Sequence, residues 1–407
     1  MGIIAIVACC DTKFHEIQFV HQKITEAGHT PLVVDISIGP NLPMQGDVTR
    51  DQILSDGGYV PNDVVHHFSK SDAVAAMSDS ICKTLLRLFE AQKIQAVFGM
   101  GGLQNTVMCS AAFRLLPLGF PKLIVSTIAC GYRYFDSVVA DKDITVVPSI
   151  VDFCGMNVIS DVVLSNAVAA VIGMMEHGGG KINTDGHFII GTTLMGITND
   201  TVMAAADQLA KQGREIISFH STGVGGRTLE QMIRDGHIKA VMDLTLHEMA
   251  AEYFGDYGYC KGAVNRLCAG AEKGIPMLVC PGGIDFIALR KDEFFPDEEQ
   301  RGYVWHNPEL THTKLYENEV LDITRVIVER LNKSSGKVVV LLPMGGLRTL
   351  SYPGEPFHKP ETIQKMRTIF EKGLKPEIEL RCVDHNFMDP EFANIIVEEM
   401  TNLLARA

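Results

Sequence analysis

The sequence contains no Cys-x-x-Cys pair, no His-x₃-His spacing and no Gly-x-Ser-x-Gly elbow. A zinc site or a serine-hydrolase nucleophile is therefore not written into it in the usual form. It also lacks the Gly-Lys-Ser/Thr ending of a Walker A loop. Basic residues are outnumbered, 36 Lys and Arg against 49 Asp and Glu, so the net charge is −13. Nucleic acid and anionic membrane surfaces are held by basic patches, and this balance argues against both as partners. A small anion stays open to it, given a local nest of backbone N–H groups or a bound cation. No run of 18 apolar residues is uninterrupted; the longest near miss, 162–175, carries Ser165 and Asn166. The N-terminal apolar run to Cys10 has neither a basic flank nor a cleavage site, and reads as a buried strand. The ten cysteines are scattered, several of them in apolar runs, which fits packed, reduced thiols in a cytoplasmic protein.

What is present is globular composition, 46% hydrophobic over 407 residues, enough for two domains. Apolar, β-rich runs alternate with amphipathic stretches, the pattern of an α/β fold with mainly parallel sheets covered on both faces. In the first half, strands are expected at 3–9, 31–36, 95–98 and 122–126, and helices at 12–27, 71–92 and 104–115. Residues 39–69 read as a long excursion, and 152–175 as a mostly apolar helix that closes the lobe or packs on a partner. The segment 176–186 (EHGGGKINTDG) reads as a linker, dividing an N-terminal lobe (1–180) from a C-terminal lobe (187–407). Strands then follow at 187–192, 216–220, 239–242, 277–280 and 337–342, with helices at 200–212, 228–235 and 389–404. The halves echo each other: Ile94-Gln95-Ala96-Val97 answers Ile238-Lys239-Ala240-Val241 at the same place in the strand order. Two Rossmann-like lobes facing a shared cleft are expected.

The candidate chemistry lies at strand ends. Asp11-Thr12-Lys13 opens a helix, where amides and the helix dipole favour an anion and Lys13 adds charge; Asp11 caps the helix or binds a metal. Gly101 and Gly102 let the backbone approach phosphate closely, and Thr106 offers a hydroxyl. Asp35 stands where an acidic residue holds ribose in dinucleotide folds, or caps its turn. In the second lobe His220, Thr222, Gly223, Gly225 and Gly226 form a glycine loop suited to an anion. Asp243 and Glu248 lie across a strand-to-helix turn, as a Mg²⁺ site, an acid/base pair or simple caps. Arg348 suits a carboxylate or phosphate.

Taken in order, Asp11-Thr12-Lys13, Phe98-Gly99-Met100-Gly101-Gly102 through Thr106, Val125-Ser126-Thr127, Leu164-Ser165-Asn166-Ala167, the loop 220–227 and Asp243-Leu244-Thr245 with Glu248 resemble the Tm-1-like ATP-binding family, also called uncharacterised protein family 0261 (UPF0261). The resemblance covers nearly the whole chain. It implies two α/β domains, ATP with Mg²⁺ in the N-terminal lobe, and a homodimer, and it adds Ser126 and Thr127 to the nucleotide set. One departure is that Leu103-Gln104-Asn105 stand where the family often carries small residues in its first glycine loop. The expectation is an ATP·Mg-dependent enzyme acting on a small acidic or sugar-derived metabolite, with Asp243, Glu248 and Arg348 as its catalytic candidates. The alternatives are a nucleotide-sensing module without turnover, and an ATP-independent enzyme on a phosphorylated or carboxylated metabolite.

Overall fold

The computed structural model describes residues 1–129, 136–180, 182, 184, 186–261 and 264–406. The chain divides into two compact units, Met1–Asn183 and Thr184–Ala407. Of the expected linker 176–186, residues 181, 183 and 185 lie outside the described residues.

The N-terminal unit is built on a parallel sheet of β1 (Ile3–Ala8), β2 (Thr30–Asp35), β3 (Ala96–Gly101), β4 (Lys122–Ser126) and β5 (Thr145–Pro148) in the order β2-β1-β3-β4-β5. Successive side chains of a strand leave on opposite faces, and both faces are covered here. Ile4, Ile6 and Ala8 pack against the helices Phe14–Glu26 and Val158–His177. Ala5, Val7 and Cys9 pack against Lys70–Glu90 and Leu103–Phe113. Two buried faces require apolar residues at every position, which is why β1 reads as an unbroken run rather than an alternation. Burying each such aliphatic side chain contributes roughly 1.5–3 kcal/mol.

The excursion 39–69 is packed rather than open. It holds the short helices Arg50–Gly57 and Pro61–His66, and sends Ile53, Leu54 and Val64 into the core. Thr49 caps the first of them, accepting the Gln52 N–H. Among the described residues, Val158–His177 is the one helix long and apolar enough to cross a membrane. In this unit Leu164, Ala167, Val168 and Val171 on one side of it are buried against the sheet. Val158, Ile159 and Val162 on its first turns are exposed, as is the neighbouring Ile150.

The C-terminal unit has a six-stranded parallel sheet in the order β14-β13-β9-β8-β6-β7, from β6 (Ile189–Leu194), β7 (Glu215–His220), β8 (Ala240–Thr245), β9 (Met277–Gly282), β13 (Val338–Pro343) and β14 (Glu379–Val383). A small antiparallel sheet, β10 (Phe286–Arg290), β11 (Tyr303–Trp305) and β12 (Leu310–Lys314), is inserted after β9. Neither this insert, nor β5, nor the edge strand β14 stands out by periodicity; LTHTK and ELRCV are too polar and too short. The expected echo between the halves is structural. Both sheets run 2-1-3-4 from their second strand inward, and both carry one bond in common: Val97 N–H donates to Pro121 O (3.0 Å), and Val241 N–H to Pro276 O (2.9 Å).

Candidate functional site

In the N-terminal unit the strand order turns back between β1 and β3, and ligands of open α/β sheets bind outside the strand ends at such a point. Cys9 Sγ donates to Asn105 Oδ1 (2.9 Å), tying the end of β1 to the first turn of Leu103–Phe113. Asn105 Nδ2 donates back to Met100 O (3.2 Å). Gly101 is held at φ +143°, and a Cβ there would come within 2.6 Å of Asn105 Cβ, so the turn demands glycine. Gly102 has an ordinary φ of −81°, and the nearest atom to a Cβ would be Thr127 Oγ1 at 3.7 Å. That is open space. The helix carries no side-chain cap, and the N–H groups of Leu103, Gln104 and Asn105 have no partner among the described residues. Bare first-turn amides at the positive end of a helix favour an anion. Beside them, Thr127 N–H donates to Gly101 O (3.1 Å), and a pocket of ≈ 430 Å³ opens between Ser126, Thr127 and the Pro148–Asp152 stretch after β5.

The other predicted residues of this unit divide sharply. Asp11 Oδ2 accepts the Gly39 N–H (2.9 Å), while its Oδ1 is buried without a partner among the described residues. The Thr12 and Lys13 amides both donate to Cys9 O (3.3 and 3.0 Å), so that turn is not an open nest. Lys13 Nζ donates to Phe153 O (2.6 Å) and Glu16 Oε1 accepts Gly155 N–H (2.8 Å); together they pin the segment that follows the pocket wall. Asp35 is not at a ribose position. It is 1% exposed and caps its own turn, accepting from Cys10 N–H, Ser37 N–H and the Ser37 hydroxyl. Thr106 is likewise turned inward: its hydroxyl bonds Gly102 O (2.9 Å) and Ser126 Oγ (2.7 Å), and both side chains are buried.

The C-terminal glycine loop corrects the expectation of an anion nest there. The N–H groups of Gly223 and Gly226 both donate to Glu248 Oε1 (2.6 and 3.0 Å). The negative oxygen that such a loop invites is already supplied by the chain. Glu248 Oε2 in turn accepts from Arg266 Nε (2.7 Å), whose guanidinium is fully buried and also binds Asp243 (2.8 and 2.9 Å) and Glu230 (2.9 Å). Glu230 additionally accepts the Leu267 and Ala269 N–H groups, both at 2.6 Å, and Asp243 the Thr193 hydroxyl (2.7 Å). The glycines are there for packing: a Cβ on Gly225 would lie 2.0 Å from His220 O, and one on Gly226 would lie 1.8 Å from Glu248 Oε2. His220 and Thr222 only border the loop, His220 exposed. Displacing Glu248 by a ligand anion would strip a partner from buried Arg266, which costs about 3–5 kcal/mol, or two to four orders of magnitude in affinity. Asp243 and Glu248 thus serve this ion cluster rather than a rim-facing Mg²⁺ or an acid/base pair.

Arg348, the third catalytic candidate, is 0% exposed. Its guanidinium lies between the rings of Phe286 and Phe357, 4.0 and 3.7 Å from their centroids, with Nε on Asp285 Oδ1 (3.0 Å) and Nη1 on His312 Nδ1 (3.2 Å). His247 stacks on the Phe286 ring at 3.9 Å, with Nδ1 on Gly283 O (3.0 Å). Burial lowers the pKa of His247 to about 4 and of His312 to about 2, with the Arg348 charge acting in the same direction. Both imidazoles are neutral at pH 7.

Two members of the ion cluster, Arg266 and Glu230, escaped the sequence reading. Glu230 had left a signal: it sits with Gly226, Leu229 and Ile233 on the buried stripe of the Val224–Arg234 helix, and a carboxylate on an apolar stripe needs a cation. Arg266 carried none. Its replacement by Met should destabilise the protein by about 4 kcal/mol at pH 7, seen as a lower urea midpoint. Burial raises the pKa of Glu230 and Glu248, opposed by Arg266, so the deficit should shrink as the pH is lowered and these carboxyls protonate. His247 titrates with the opposite sign. Its folded-state pKa is depressed, so the unfolded chain binds the proton first, and stability is lost as pH falls from 6.5 through about 4. His247→Gln removes that loss, and the stability gap between wild type and variant should close by about 3 kcal/mol between pH 7 and pH 4. A gap independent of pH would show that His247 is not held neutral.

Comparison with known proteins follows this division into units. Residues 2–179 match the model of the uncharacterised protein family UPF0261 N-terminal domain, and residues 187–404 that of its C-terminal domain. A UPF0261 protein of Clostridium tetani is 30% identical over 405 residues, covering 99% of each chain. The tomato (Solanum lycopersicum) ToMV resistance protein Tm-1(GCR237) is 35% identical over 421 residues, covering 98% of this chain, which spans only 55% of that protein. The S. aureus MnaA–UDP co-structure aligns over the whole chain and 97% of its own, at 11% identity and a TM-score of 0.24, too low to bear on function. On these matches the chain belongs to the UPF0261 family, as a Tm-1-like member.

Proposed function

We propose that the N-terminal unit binds the phosphates of ATP on the open first-turn amides of Leu103–Phe113, with the rest of the nucleotide directed along the Ser126–Thr127 and Pro148–Asp152 pocket. The observation that carries this reading is the contrast between the two glycine loops. One has its amides consumed by Glu248, whereas the other leaves Leu103, Gln104 and Asn105 without acceptors beside a strand-order reversal. Mg²⁺ usually binds through one or two carboxylates plus phosphate oxygens and keeps several waters. Asp11, with a buried unpartnered Oδ1, fits that role. Among the described residues no group of three or more His, Cys, Asp or Glu could hold a metal alone, so the ion would arrive with the phosphates. It would offset the repulsion between a polyphosphate and an acidic chain.

A second copy of the chain is the proposed cover for the exposed Val158, Ile159 and Val162 on the Val158–His177 helix, consistent with the homodimer that the family resemblance implies. Val162→Asp should then shift sedimentation from dimer to monomer without lowering the urea midpoint of the N-terminal unit. An unchanged sedimentation coefficient would leave that face unassigned to self-association.

The nucleotide site has an equally direct test. Gly102 has room for a side chain and needs no special backbone, so Gly102→Val should leave stability within about 0.5 kcal/mol while screening the amides. ATP·Mg²⁺ affinity by titration calorimetry should fall at least tenfold, about 1.4 kcal/mol. Equal ATP binding by wild type and variant would remove the loop from the site. ADP release across a panel of small acidic and sugar-derived metabolites separates an enzyme from a nucleotide-sensing module.

A further inference from the structure

The C-terminal unit holds a cavity that none of the residues above accounts for. It measures ≈ 370 Å³ and lies where the helices Glu317–Leu331 and Pro360–Gly373 begin, against the end of β12. Its floor is apolar, formed by Phe357, Leu347, Val320, Ile363 and Met366. Its charged groups fall into two classes. Three are already matched within the chain: Asp285 by Arg348, Arg301 by Glu319 and Asp297, and Glu317 by Lys365. Lys314, Lys359 and Glu361 are not. Lys314 and Lys359 line the cavity with no carboxylate partner and no hydrogen-bond acceptor among the described residues. Lys314 is half-buried, with Nζ 5.6 Å from the centroid of the Phe357 ring, so it is held over the floor rather than out in water. Burial, and after it the nearby Lys359 charge, lower its pKa.

A half-buried ammonium such as Lys314 without an ion-pair partner is unusual, since buried charges are ordinarily paired; Lys359 beside it is exposed. Here the chain pairs every other buried cation at hand, Arg266, Arg301 and Arg348, with a carboxylate. Two helices start at the same place, but the first turn of Glu317–Leu331 is already offset by Glu317 and Glu319. The Pro360–Gly373 helix has no side-chain cap at its N-cap Lys359. The one unmatched carboxylate on the wall, Glu361, is exposed. Because Arg301 faces both Asp297 and Glu319, the wall as a whole carries no positive excess, so a single carboxylate on the half-buried Lys314 suits it better than a phosphate dianion.

From this geometry we infer that the C-terminal unit binds a small carboxylic acid with an apolar body, its carboxylate between Lys314 and Lys359 and its body on the Phe357–Leu347–Met366 floor. The cavity suits a molecule of roughly ten heavy atoms, within the size range of metabolite pockets. This site is independent of the nucleotide reading: it uses no residue of the N-terminal unit, and either assignment can fail alone.

Titration calorimetry at pH 7 with two probes tests it, 4-methylpentanoate and inorganic phosphate, on the full chain. The carboxylate should bind, Lys314→Met should weaken it at least tenfold, and Lys359→Met should weaken it as well. Lys365→Met, a neighbouring lysine already paired with Glu317, should not. Lys314→Met keeps the aliphatic stem over Phe357, and an unchanged urea midpoint verifies that its fold is intact; should that midpoint fall, Lys314→Gln takes its place. Three results would each overturn the inference: no heat with the carboxylate, binding indifferent to Lys314→Met and Lys314→Gln, or phosphate binding as tightly as the carboxylate.

Discussion

A backbone N–H at the tip of a sheet must find an acceptor, and in this protein the two units meet that demand in different ways. In the C-terminal unit the acceptor is Glu248 Oε1, which takes the Gly223 and Gly226 amides. Glu248 can be buried there only because Arg266 is buried beside it, and Arg266 only because Asp243 and Glu230 complete its shell. The cluster ties together the ends of β7 and β8, the Val224–Arg234 helix and the segment before Cys268–Lys273. Three carboxylates around one guanidinium would be untenable on charge alone. Backbone amides at Gly223, Gly226, Leu267 and Ala269 share the surplus, each a donor to an ionised oxygen. The loop that looked most like a ligand cradle is in this sense a folded-in one, occupied by its own carboxylate.

The N-terminal unit has the same strand order but no such carboxylate. Its helix after β3 begins Gly102-Leu103-Gln104-Asn105, and the Asn105 side chain spends its bonds on Met100 O and Cys9 Sγ. Those bonds fix the turn geometry and leave the first-turn amides without acceptors among the described residues. Two sheets with a common register bond at Val97 and Val241 have thus diverged at their tips, one toward rigidity and one toward availability. The acidic overall charge is no obstacle to this, because the deciding field is local: a helix terminus and a few amides act within one turn.

The fold was legible because both sheets are covered on both faces, and that constraint writes unbroken apolar strands into the chain. Strand ends and helix starts followed from it, and so did the echo between halves. Among the elements that went unseen are the half-exposed edge strands β5 and β14, the helices Glu317–Leu331 and Pro360–Gly373, and the insert β10 to β12, where polar residues such as Thr311, His312 and Thr313 are buried by pairing instead of by apolarity. The site was less legible, for a physical reason. A strand-end Asp, Thr or Gly has the same local sequence whether its polar groups face a ligand or close on the chain. Asp35, Thr106 and Glu248 all turned inward, toward Ser37, Ser126 and the Gly223 loop, and these partners lie 2, 20 and 25 residues away. Only Glu230, a charge on an apolar stripe, could have announced its role.

The same accounting of partners points to where ligands belong. Buried polar atoms in folded proteins are nearly always satisfied, so the exceptions carry information. Asp11 Oδ1 is such an exception in one unit, with the uncapped first turn of Leu103–Phe113 to go with it; in the other, half-buried Lys314 stands without an ion pair beside exposed Lys359. The first set offers donors beside a carboxylate, the composition wanted by a polyphosphate with its divalent ion. The second offers the Lys314 ammonium over an aromatic floor with Lys359 at its edge, the composition wanted by a monoanion with apolar surface. Each unit would then hold a ligand of different chemistry at a different position of the same architecture. That division is expected when function resides in the unmatched groups at sheet tips and helix starts, while the matched ones, Arg266 foremost, serve only to keep the tips in place.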